Sequence, residues 1–131
     1  MQRLYQETIL KHVKNPHYYG TLDNPSYTEE GRSMICGDYV KLYVQIVEDK
    51  ITDICFDGDS CAICTASTSI MVKRVKGMKI ADIKILRDKF FGLLEGKDLD
   101  LDLELNVLAV IQEFPSRISC AKLAWEILIK E

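Results

Sequence analysis

Val40-Lys41-Leu42-Tyr43-Val44-Gln45-Ile46-Val47 runs through Glu48-Asp49-Lys50 into Ile51-Thr52-Asp53-Ile54-Cys55-Phe56-Asp57. In the first run Val40, Leu42, Val44 and Ile46 alternate with Lys41, Tyr43, Gln45 and Val47. In the second, Thr52, Ile54 and Phe56 alternate with Asp53, Cys55 and Asp57. Alternation of period two on both sides of a polar turn is the signature of two antiparallel strands with one buried face. A third strand is expected upstream, over residues 26–34.

After Gly58 the pattern becomes helical. Asp59 or Ser60 is expected to cap a helix running from near Cys61 through Met71 to Val75, with Lys73, Arg74 and Lys76 at its basic end before Gly77. Residues 79–94 and 116–130 read as two more helices. The run from Leu99 to Leu105 alternates like a strand but has no partner, and so reads as a loop entering a helix over 103–112. Ahead of the sheet, Leu4, Tyr5, Ile9, His12 and Val13 share one stripe of a short helix that Asn15-Pro16 ends. Gly20, Asn24-Pro25 and Gly31 mark a polar loop. Strands first and helices after predict an α+β fold, a small antiparallel three-stranded sheet with helices packed on one face.

With 131 residues, 47% apolar and 28% charged, the chain has the makings of one soluble domain, residues 1–131. A net charge of −3 and the lack of a basic run exclude nucleic acid and anionic membrane as expected partners. No apolar stretch approaches the roughly 20 residues of a membrane span, and Met1-Gln2-Arg3-Leu4-Tyr5 is no signal-peptide start. Five cysteines, an odd number, point to reduced thiols and a cytoplasmic protein.

Four of the chain's potential ligands stand far apart: Cys36 and Asp38 around Gly37, then Cys61 after 24 residues and Cys120 after 58 more. Thiolates select zinc, copper(I) or iron–sulfur clusters, and one aspartate oxygen completes a four-coordinate shell. Ligands this scattered can meet only once the whole chain has folded. Gly37 allows its two neighbours to converge on one ion. Cys61, and Cys120 after Phe114-Pro115-Ser116-Arg117-Ile118-Ser119, both fall at expected helix starts, where the dipole favours a thiolate. On residue chemistry alone, a metal site stands level with a set of buried core cysteines.

Asp59-Ser60-Cys61-Ala62-Ile63-Cys64-Thr65-Ala66-Ser67-Thr68-Ser69-Ile70-Met71 resembles the Gly-Cys-Ala-Ile-Ser-x-Ala-Ser-x-Ser-x-Met signature of the IscU/SufU/NifU-N iron–sulfur cluster assembly proteins. Cys36-Gly37-Asp38, Ile9-Leu10-Lys11-His12 with Asn15-Pro16 and Gly20, and Arg117-Ile118-Ser119-Cys120-Ala121-Lys122-Leu123-Ala124-Trp125 extend the likeness over nearly the whole chain, in order. It implies a SufE/NifU-like fold. IscU-type scaffolds carry Leu-Pro-Pro-Val-Lys and a His before the third cysteine, and both are missing here. Phe114-Pro115, Arg117, Leu123-Ala124-Trp125 and the long gap before Cys120 are similar to the SufU branch, which has Lys where this chain has Ser119.

The SufU-like resemblance implies zinc held by Cys36, Asp38, Cys61 and Cys120. It implies a sulfurtransferase role, in which a pyridoxal-phosphate cysteine desulfurase supplies a persulfide, Cys36 is freed as the sulfur acceptor, and Arg117 contacts the partner or the persulfide. Sulfur then moves to a downstream iron–sulfur assembly complex or apo-acceptor protein. The alternative is a scaffold that builds a [2Fe–2S] cluster, or holds iron, on Cys36, Cys61 and Cys120 and hands it on. Ser119 reads either as a hydroxyl cap on the last helix or as a loss that moves the protein from relay toward cluster holding.

The other candidates read as structure. Cys64 makes a Cys61-x-x-Cys64 pair, yet is expected to be a buried small residue before a spare ligand or a redox centre. Cys55 is expected on the outer strand face, His12 as a packed and hydrogen-bonded core residue, and Trp125 as a core anchor. His17 and Tyr18-Tyr19 belong to a surface loop. Asp98, Asp100, Asp102 and Glu104 read as solvated acids, and Lys73, Arg74 and Lys76 as a plain helix end.

Overall fold

A computed structural model describes residues 2–34 and 37–129. Cys36 lies outside them. The order of elements is α1 (Gln2–Lys14), β1 (Tyr27–Arg32), β2 (Tyr39–Val47), β3 (Lys50–Asp59), α2 (Ala62–Val75), α3 (Ile80–Leu94), α4 (Leu103–Leu108), a 3-10 turn (Ala109–Glu113) and α5 (Pro115–Leu128). The three strands pair antiparallel in the order β1-β2-β3, so the sheet and its late helices form the α+β fold expected from the pattern.

Glu48 and Asp49 both take positive φ, at 52° and 64°, which suits a two-residue hairpin whose twist matches its strands. Val40, Leu42 and Val44 of β2 face the core as their spacing predicts. On β3 Ile54 and Phe56 are buried as expected, and Thr52 is the correction. Gln45 pairs with Asp53 and Ile46 with Ile51, so Thr52 is an extra residue in the ladder. One extra residue reverses side-chain parity, and Ile51 is therefore buried while Thr52 is exposed. The loop after α1 also carries more structure than its polarity implied. Phe56 N–H donates to Tyr18 O at 3.0 Å and Gly20 N–H to Phe56 O at 2.8 Å, so this segment covers the free edge of β3.

Helices α2 and α5 pack against one another and, with the sheet's inner face, enclose the core. Trp125 is 1% exposed, lies 4.9 Å from Phe90 ring to ring, and donates to Ser67 Oγ at 3.3 Å. Ser67 Oγ in turn donates to Ala121 O at 2.7 Å, so a buried polar chain sets the α2–α5 spacing. In α1 the apolar stripe is only partly used. Tyr5 and Ile9 are half-buried, Leu4 and Val13 are exposed, and the buried residues are Thr8 and His12.

The acidic run is not simply solvated. Asp102 caps α4 by accepting from Leu105 N–H at 3.0 Å and pairs with Arg74 at 2.7 Å, while Asn106 donates to Asp100 at 2.9 Å. Glu104 meets Lys73 at 3.3 Å, and Lys76 meets Asp53 at 3.5 Å. The basic end of α2 therefore ties that helix to α4 and to β3 as well as finishing it. Cap and ion pairs need a partner brought near by the fold, and strand-like alternation hid that partner.

Candidate metal centre

Asp38 approaches from the β1–β2 connection. Ser33 N–H donates to Asp38 O at 2.9 Å and Gly37 N–H to Ser33 O at 3.0 Å, closing a tight loop, and Gly37 turns with φ +69°. A side chain at that backbone angle is strained, so glycine is what the turn requires. The Asp38 carboxylate is 1% exposed. Its Oδ1 accepts from Cys61 N–H at 2.7 Å, and its Oδ2 lies 3.9 Å from Cys61 Sγ. One oxygen thus satisfies the helix start and the other is left beside the sulfur.

Cys61 itself is the N-cap of α2, in place of Asp59 or Ser60. Its backbone is extended, with φ −66° and ψ 166°, and its sulfur accepts from Cys64 N–H at 3.4 Å. Asp38 accepts from the N-cap's own N–H, as the acid of a capping box does, and sets a negative charge at the start of the helix. Cys120 is 1% exposed and lies in α5, whose first residue is Pro115. It stands in the second turn, beyond the reach of the terminal dipole expected for it. Among the described residues, the ligand atoms of Asp38, Cys61 and Cys120 all lie within 4.8 Å of one another.

This donor set fits zinc. Bonds of about 2.3 Å to sulfur and about 2.0 Å to oxygen put tetrahedral ligands roughly 3.5–4 Å apart, so small side-chain movements close the shell. The set supplies two thiols and a carboxylate, and the fourth expected ligand, Cys36, lies outside the described residues.

Arg117 is exposed at the start of α5. Its charge and that of Cys61 both reach the Tyr5 phenol, which burial pushes above its ordinary pKa; Arg117 opposes that rise and Cys61 adds to it. Tyr5 of α1 therefore belongs to the surroundings of the centre, and its place in an apolar stripe gave no sign of this. Ser119 lies inside α5 and caps nothing. Its Oγ is buried with no hydrogen-bond partner among the described residues.

Cys64 is fully buried, as expected, and stands apart from the ligand group. Burial pushes its thiol up to about 12; the charge of Asp38 and, less, that of Cys61 add to the rise, while hydrogen bonds with Ser60 and Thr68 oppose it. Cys55 is half-buried. His12 is buried, with Nδ1 2.7 Å from Ser69 Oγ and Nε2 2.5 Å from Glu104 Oε2, a structural residue as its pattern indicated. The His17 N–H donates to the same Ser69 Oγ at 2.8 Å. Beside the β3–α2 junction a cleft of about 420 Å³ is lined by Tyr19, Phe56, Asp59, Ser60 and Thr65, among others.

No helix among the described residues is long and apolar enough to cross a membrane. The chain is similar to an iron–sulfur cluster assembly scaffold protein IscU of Streptococcus pyogenes, with 37% identity over 98% of this chain and 82% of that one. It is similar to a zinc-dependent sulfurtransferase SufU of Bacillus subtilis, with 33% identity over 99% and 90% of the two chains. Its fold matches the crystal structure of an iron–sulfur cluster assembly scaffold protein for the SUF system from Fervidobacterium islandicum, with a TM-score of 0.86, 31% identity, and 92% and 90% of the chains covered. Residues 4–130 match the model of the NifU-like N-terminal domain. With candidate ligands converging from a strand connection and two helices, this fold and a family match over residues 4–130 make the chain a member of the NifU-like N-terminal domain family.

Proposed function

We propose that this protein serves iron–sulfur cluster assembly in the cytosol as a zinc-dependent sulfur acceptor. One observation carries the reading: Asp38, Cys61 and Cys120 gather their ligand atoms within 4.8 Å, with one carboxylate among thiols. Zinc on this group would keep the thiols deprotonated. A carboxylate is the harder, weaker partner for such a metal, which favours exchange of ligands over a locked structural site.

In this reading Cys36 is the acceptor. Its thiolate attacks the outer sulfur of the persulfide on a pyridoxal-phosphate cysteine desulfurase, a new S–S bond forms on Cys36, and the desulfurase cysteine leaves as a thiolate. Arg117, exposed at the start of α5 and close enough for its charge to reach Tyr5, supplies positive charge for the approaching anion. The sulfur then passes to a downstream assembly complex or an apo-acceptor protein.

A second reading, a scaffold for a [2Fe–2S] cluster, draws on the Streptococcus relative that carries the scaffold name. The two are separated by measuring alanine release from cysteine by a desulfurase, with and without the zinc-loaded protein and its Cys36→Ser variant. Stimulation that vanishes in the variant, with a persulfide on Cys36 by mass spectrometry, supports the acceptor. An unstimulated desulfurase, together with a coloured cluster formed from iron and sulfide without oxygen, moves the protein to the scaffold reading.

A further inference from the structure

We propose that Cys61 and Cys64 form a redox pair, in which Cys64 resolves an oxidised Cys61 into an intramolecular disulfide. The inference goes beyond sulfur relay or cluster building and depends on neither. It rests on where the Cys61 sulfur sits against the first turn of α2. Cys61 is the N-cap of α2 and Cys64 the third residue of the helix, and the Cys64 N–H already donates to Cys61 Sγ at 3.4 Å. The extended backbone of Cys61, φ −66° and ψ 166°, turns its sulfur back over the first helical turn, toward Cys64. Residues three apart on a helix have Cβ atoms about 5–6 Å apart, and a disulfide asks for about 3.5–4.5 Å, so rotation of the side chains and a local tightening of the first turn suffice.

Burial sets the order of events. Cys61 is half-buried, whereas Cys64 is fully buried, so a dissolved oxidant meets Cys61 first and cannot reach Cys64 directly. Cys64 stands outside the group formed by Asp38, Cys61 and Cys120, which leaves it available as a resolving thiol while Cys61 serves the metal. A reactive cysteine with a second one waiting behind it is the usual arrangement of a reversible thiol sensor.

The oxidant class is a small peroxide. The Cys61 thiolate attacks one peroxide oxygen, the O–O bond breaks, and with one proton taken up Cys61 becomes a sulfenic acid and water leaves. Cys64 sulfur then attacks Cys61 sulfur, displacing the hydroxyl, which departs as a second water with the proton Cys64 carried. Two thiols lose two electrons and the peroxide gains them. The disulfide removes one thiolate from the metal centre and stops Cys61 short of irreversible sulfinic acid.

The test treats the full-length apo-protein with hydrogen peroxide, removes the peroxide, unfolds the chain in denaturant to block remaining thiols with N-ethylmaleimide, and cleaves before aspartates. Fragment 59–81 then holds Cys61 and Cys64 and no other cysteine. The expected result is a fragment lacking two hydrogens with neither sulfur alkylated, and both thiols recovered by dithiothreitol. In Cys64→Ser and Cys64→Ala, Cys61 should run on to sulfinic acid and not be recovered. Zinc-loaded wild-type protein should lose its zinc to peroxide and rebind it after dithiothreitol, while the variants lose it for good. The proposal is overturned if wild-type Cys61 becomes sulfinic acid while Cys64 stays alkylated. It is equally overturned if Cys61 is found joined to Cys36 or Cys120.

Discussion

Asp38 does two jobs with two oxygens, and a pair of substitutions separates them. Asp38→Asn keeps an oxygen for the Cys61 N–H, now 2.7 Å from Oδ1, but offers no anionic ligand. Its apo stability should fall within about 1 kcal/mol of wild type, while zinc affinity drops by about 10-fold or more in a chelator competition. Asp38→Ala loses both, and urea unfolding of its apo form should show a further loss of about 1.5–3 kcal/mol. The raised Cys64 pKa, about 12, carries its own expectation. Iodoacetamide at pH near 8 should alkylate Cys61 in the folded apo-protein and leave Cys64 unmodified until the chain is unfolded, as peptide mapping would show. Both outcomes come from burial and partners at single side chains.

At the scale of elements, α1 is fastened by one histidine. His12 bridges Ser69 of α2 and Glu104 of α4, so His12→Ala should cost about 2–4 kcal/mol in chemical denaturation and expose the amides of α1 to hydrogen exchange. Burial alone would raise the pKa of Glu104, but the hydrogen bond and charge of His12, with Lys73, hold it below its ordinary 4.5. A carboxyl with a lowered folded-state pKa stabilises the fold above the unfolded value and loses that contribution as pH falls through the folded one. The urea midpoint of wild type should therefore fall on acidification through and below about pH 4.5, and Glu104→Gln should flatten that fall. Gly58 holds the other fastening. A Cβ there would lie 2.1 Å from Tyr39 O on the neighbouring strand, at φ +143°, so Gly58→Ala should destabilise by about 3 kcal/mol and loosen zinc binding next door.

For the whole molecule, the centre joins the β1–β2 connection to α2 and α5, so a metal bound there acts on global stability. Free zinc a hundredfold above its Kd should add about 2.7 kcal/mol, which for a domain of this size is a rise in Tm of roughly 10 °C, removed by a chelator and diminished in Asp38→Asn. The sequence by itself determined the sheet, because alternation of period two admits one side-chain face, and the helices after Gly58, because their apolar spacing and end signals are local. It also offered the candidate ligand types, since cysteine and aspartate chemistry does not depend on the fold. Position 52 shows where local reading stopped: a one-residue bulge answers to the partner strand, and it turned Ile51 inward and Thr52 outward. The same holds for Glu104, whose meaning rests on His12 from 92 positions away, and for Cys61, capped by Asp38 from 23 positions away. Tyr5 joined the centre and Cys64 stayed out of it through packing alone. Only the tertiary structure decided these, because distance in space and burial are properties of the closed core, to which no stretch of chain has access by itself.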